Sequence, residues 1–169
     1  MKRGPASADA PPPASWAREL GAQRRRVVED AAARAAKRQA AADQLIEICP
    51  RNGGAWWDAF ALAFAEAMAA YTEARSDGVT VVVNRQPRAL SARTDDRSSA
   101  YVLITLAIGP APEEDHVEVI RRWRGRGSTE SLSFDLDDQA GLTIRTGEGL
   151  LDPAAFARYC AAPWLTWLE

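Results

Sequence analysis

Apolar residues recur along this chain with two different periods, and the change from one to the other divides it. From Ala55 to Tyr71 the spacing is helical. Trp56, Phe60, Ala63, Ala67 and Tyr71 form one line, and Trp57, Phe60, Phe64 and Met68 a second beside it. A helix with so wide an apolar surface must be covered, by a sheet on one side and another helix on the other. Upstream, Trp16 to Cys49 reads as one long helix without proline, with Trp16, Leu20, Val27, Ala31, Ala35, Ala42, Leu45 and Cys49 at steps of three, four or seven. Its middle is mostly alanine, which lets a neighbour approach closely but buries little area. Pro50 and the run Arg51-Asn52-Gly53-Gly54 predict a turn there, and so a helical hairpin of long helix and aromatic-rich helix.

Beyond Gly78 the period falls to two. Val79–Val83 is β-branched throughout and predicts a strand. Arg85 to Ser98 predicts a polar loop, long enough to be mobile or functional. Ser99–Ile108 is apolar on both faces, which predicts a central strand buried on both sides. His116–Arg124 places Val117, Val119, Arg121 and Trp123 on one face. Leu132, Phe134 and Leu136 alternate with polar neighbours, Asp137–Gly141 makes a hairpin loop, and Leu142 and Ile144 continue the buried face. Asp152-Pro153 opens a final helix, Asp as N-cap with Pro at the first helical position, and Pro163 interrupts it. The expected class is α+β: the hairpin, an antiparallel meander of about five strands, and a C-terminal helix. Residues 1–15 predict a disordered Pro/Ala-rich tail, and 16–169 a single domain: 16–49 long helix, 55–75 core helix, 79–146 sheet, 152–168 closing helix.

Composition changes this picture little. A length of 169 residues fits one domain, and a net charge of −2 gives no global pull toward nucleic acid or membrane. The charge is uneven, however: residues 1–51 hold ten basic and six acidic residues, and residues 130–169 hold two and seven. The aromatic helix is too short for a bilayer and carries two carboxylates, which predicts no membrane span. The first residues lack an apolar signal region, and Cys49 and Cys160 lack metal or redox spacing. Buried thiols and a cytoplasmic location follow as expectations.

Candidate chemistry is sparse. His116 is the single histidine, at a strand start beside Glu114 and Asp115, where pairing with a carboxylate explains it without catalysis. No serine sits in a nucleophile elbow, and no glycine loop opens a helix to cradle phosphate. Asp135, Asp137 and Asp138 form the densest acidic group; paired carboxylates could hold Mg²⁺, but acids beside glycine also build hairpin turns. No catalytic residue, metal ligand or cofactor is assigned. The suggestive groups are basic. Arg24, Arg25 and Arg26 lie beside the apolar line of Trp16 and Leu20, and Arg121, Arg122, Arg124 and Arg126 surround Trp123. Arginines around a tryptophan can contact phosphate while the ring stacks on a base. Alternation opposes this, because it separates Trp123 from Arg122 and Arg124 and leaves Arg121 on the side of Trp123, either to lie along the ring or to pair with an acid at the sheet end. The leading expectation is a non-enzymatic protein-binding or assembly module, engaging a protein partner or itself. A nucleic-acid-associated protein and a metal-dependent hydrolase at the acidic hairpin are the alternatives.

Overall fold

The line of apolar residues does not stop at Pro50. Trp56 follows Cys49 by seven residues, two turns of helix, and Phe60, Phe64 and Met68 continue at four-residue steps. In the computed structural model, which describes residues 15–75, 78–95, 100–107 and 115–168, these positions lie on one α-helix, α1 (Ser15–Ala74), with Pro50 inside it. The expected hairpin is therefore absent. Arg51-Asn52-Gly53-Gly54 is helical because keeping the phase lets the whole aromatic line reach the sheet, which outweighs the local preference for a turn. The expected tail falls outside the described residues apart from Ser15, which begins the helix.

The chain divides at Ala40/Ala41 into two units. In the first, every residue from Trp16 to Ala40 is exposed. The second holds the core and a seven-stranded antiparallel meander in sequential order. Its strands are β1 (Val81–Gln86), β2 (Ala89–Thr94), β3 (Tyr101–Ala107), β4 (His116–Trp123), β5 (Arg126–Leu136), β6 (Leu142–Thr146) and β7 (Gly149–Leu151), followed by helix α2 (Pro153–Thr166). The count exceeds the expected five for two reasons. Most of the Arg85–Ser98 stretch is strand: β1 runs to Gln86, and β2 returns from a tight turn at Pro87-Arg88 with Leu90, Ala92 and Thr94 buried. Residues 96–98 of that stretch are outside the described residues. The second addition, β7, has only three residues.

Strand register gives the sheet two unlike faces. The inner face carries Leu90, Ala92, Val102, Ile104, Val117, Val119, Phe134 and Ile144, all buried with Trp56, Phe60, Phe64 and Met68 of α1 and Phe156 and Trp164 of α2. Phe60 meets Phe156 at 5.1 Å between ring centroids, and Trp56 meets Phe134 edge-on at 5.4 Å. The outer face carries Val82, Arg93, Tyr101 and Arg122 in one row and Asn84, Ser91, Leu103 and Ile120 in the next. Tyr101 is 40% exposed, so β3 is central in the sheet without being buried on both sides. At the end of α1, Thr72 Oγ1 accepts the Val81 N–H at 3.2 Å, and Asp58 pairs with Arg85, fixing the helix to the edge strand.

Asp152 caps α2 by accepting the Ala155 N–H at 2.8 Å, with Pro153 next, as expected from this pair. Pro163 does not end the helix, and the reason lies in the sheet.

Candidate interaction surfaces

The two basic groups lie one in each unit. In the first, Trp16 and Leu20 are more than half exposed, together with Val27 and Val28, and Arg24, Arg25 and Arg26 follow in the next turn. All stand on regular helix, so their relative placement follows the 3.6-residue turn. Arg34 and Arg38 are turned along the helix, their Nε atoms donating to the Asp30 and Arg34 carbonyls at 3.1 and 3.4 Å.

The second group is scattered by the pleat. Arg121 is on the inner face and only 2% exposed. Its Nη1 donates to Glu130 Oε1 at 2.7 Å, its Nη2 to the Tyr159 carbonyl at 3.0 Å, and its Nε to the Cys160 carbonyl at 3.1 Å. Tyr159 closes the network by donating its hydroxyl to Glu130 Oε2 at 2.6 Å, with its ring 5.4 Å from the Arg121 guanidinium. The Tyr159 carbonyl is the one that an N–H at position 163 would serve, and proline has none. Arg121 supplies the missing donor from the sheet, which is how α2 passes through Pro163. Burial pushes the Tyr159 hydroxyl up to about 12, helped by its bond to Glu130 and that carboxylate's charge and opposed by Arg121. Burial also drives the Cys160 thiol well above its ordinary range.

Arg122 faces the other way. It lies flat across β5, Nη1 donating to the Arg121 and Ser128 carbonyls at 3.1 Å. Gly127 makes this possible, since a Cβ there would stand 2.5 Å from Arg122 Nη1 and 2.4 Å from the Arg121 carbonyl oxygen. Arg124 and Gly125 form the two-residue turn between β4 and β5, both with positive φ, and the Arg124 guanidinium sits 4.9 Å from the Trp123 ring centre. Arg126 opens β5 and is exposed. The five residues thus share one hairpin without forming one surface.

The acidic group is a hairpin. Asp137 Oδ1 accepts from the Gln139 and Gly141 N–H groups at 2.8 and 2.7 Å, while Asp135 pairs with Arg145. Among the described residues no cluster of His, Cys, Asp or Glu could hold a metal ion. His116 begins β4 on the outer face opposite Ser133. Cys49 and Cys160 are free and buried. Among the described residues no helix is long and apolar enough to cross a membrane.

Two features lay outside the sequence reading. A cavity of about 460 Å³ opens beside Pro50, Gly53 and Gly54 of α1, with Trp57 and Phe134 among its walls. The Glu130–Arg121–Tyr159 network was also unforeseen, although Pro163, four residues after Tyr159, marks the carbonyl in need of a donor. Comparison with protein-family models, curated proteins and solved structures returned no match.

Proposed function

We propose that this protein is a non-enzymatic protein-binding or assembly module whose contact element is the N-terminal stretch of α1. One observation carries the reading. The apolar line at helical spacing is buried from Cys49 to Met68, but its earlier members Trp16, Leu20 and Val27 are more than half exposed, as is their neighbour Val28. Large apolar side chains repeated on one face of an exposed helix mark a surface that another molecule covers. The basic residues beside them add charge without catalytic geometry. A nucleic-acid role draws less support, because Arg121 is held inside by Glu130 and Arg122 is laid on its own strand. The test is sedimentation equilibrium on the wild type and on Trp16→Ala/Leu20→Ala. The wild type forms a concentration-dependent complex, and the double variant is monomeric with an unchanged melting temperature. A wild type that is monomeric at every concentration overturns the reading.

A further inference from the structure

We infer that the contact is made with a second copy of this chain, its N-terminal helix running antiparallel to the first; this rests on the proposed assembly role. The argument begins with a line of charges bordering the apolar line. Glu19, Arg26, Asp30 and Lys37 are separated by seven, four and seven residues, so all four fall on one side of the helix. Read along the chain, their signs alternate: negative, positive, negative, positive. In an antiparallel helix pair each border faces the same border of its partner, and a two-fold axis at Val28 brings together residues whose numbers sum to 56. Glu19 then faces the partner's Lys37, and Arg26 faces the partner's Asp30. Symmetry repeats both contacts, so all four charges of each copy meet a counter-charge.

The same axis arranges the apolar line. Val27 lies near the centre, Leu20 falls between the levels of the partner's Arg34 and Arg38, and Trp16 beside the partner's Arg38. Arg34 and Arg38 also fall in this line, but their Nε bonds to the Asp30 and Arg34 carbonyls hold them along their own helix. They present methylene stems, and Arg38 a cation to the partner's Trp16 ring.

The opposite border of the line is Gly21, Val28, Ala32 and Ala35, small enough for close approach. A parallel pair would set the charged line against that border and leave the alternation of signs unused. Residues 16–40 carry seven basic and three acidic side chains, so two copies repel each other overall. The alternating line is where that repulsion is offset, and it fixes direction as well as affinity.

Charge reversal and cross-linking test this together. Glu19→Lys/Asp30→Lys makes the line wholly positive, and Arg26→Glu/Lys37→Glu makes it wholly negative. Each variant alone associates about tenfold or more weakly than the wild type, and an equimolar mixture recovers association as a heterodimer. Leu20→Cys mixed with Arg38→Cys forms a disulfide between chains, while Leu20→Cys alone does not; the native thiols are buried and stay out of the reaction. Ready self-linking of Leu20→Cys, with both charge variants associating like the wild type, overturns the antiparallel geometry and leaves the assembly surface standing. A wild type that never associates overturns both.

Discussion

Residues 16–40 and 41–74 belong to one helix and carry apolar residues at the same spacing, yet only the second stretch has a core against it. The difference is how closely large side chains follow one another along the line. The early stretch places alanine at Ala31 and Ala35, whereas the later one places Trp56, Phe60, Phe64 and Met68, each burying several times the area of an alanine methyl. Periodicity sets which way residues point, and bulk sets whether that face closes on a sheet. The two stretches accordingly depend on different forces. Exposed residues 16–40 rely on the high helix propensity of Ala, Arg, Glu and Gln, and the later stretch on packing.

The largest expected effects probe that contrast directly. Phe60→Ala and Phe64→Ala each destabilise by about 3–5 kcal/mol in denaturant unfolding, since both rings are fully buried. Leu20→Ala, on the exposed stretch, shifts the stability of the monomer by less than about 0.5 kcal/mol. Near-neutral Phe variants would remove the distinction between the stretches.

Much of this was legible in the sequence. The change of period located sheet and helices, the Asp152-Pro153 start was placed correctly, and strand alternation assigned Arg121 to the side away from Arg122. Illegible parts have physical reasons. Pro50 and Gly53-Gly54 are strong local signals for a turn, but the seven-residue step from Cys49 to Trp56 kept the helix in phase, and tertiary burial decided. β2 went unseen because Ala92 and Thr94 are small or polar, so its alternation is faint. Glu130 and Tyr159 come to Arg121 through β4–β5 pairing and the docking of α2, which no local spacing encodes.

The arginines sharpen the comparison. Arg121→Ala leaves Glu130 without its ion pair and the Tyr159 carbonyl without a donor, at a cost of about 3–5 kcal/mol. Arg25→Ala, on the exposed stretch, changes stability by less than about 0.5 kcal/mol. Equal effects would mean that the network does not hold α2 to the sheet. Tyr159 adds a pH readout for the packed region. Its hydroxyl loses its proton near 10 when unfolded and at about 12 when folded. Stability from this group is complete below about 10 and is lost as pH rises from there through 12. Thermal melts of Tyr159→Phe should decline less than those of the wild type across that window. The alkaline loss that Cys160 contributes is common to both proteins, so it cancels in the comparison. Parallel declines would show that the hydroxyl does not sense its site.

The smallest effect tests the continuity of α1 itself, through its sign. Glycine in a helix interior is about 1 kcal/mol worse than alanine because its backbone loses more freedom. A Cβ added at Gly53 or Gly54 meets nothing within 4 Å, and neither residue has positive φ. Gly53→Ala and Gly54→Ala should therefore each stabilise by up to about 1 kcal/mol, read as a rise in melting temperature. In the exposed stretch the reverse exchange, Ala33→Gly, should lower helical circular dichroism by loosening a segment that has only propensity to hold it, without moving the melting of the packed region. A turn at residues 51–54 gives the opposite sign, because it would use glycine in a left-handed conformation that alanine resists. If both alanine variants are destabilised, the helix breaks there and the phase argument from Cys49 to Trp56 fails. If both are stabilised, the glycines persist at a thermodynamic cost, and the open space beside them, next to Trp57, is a feature the fold tolerates without needing it for stability.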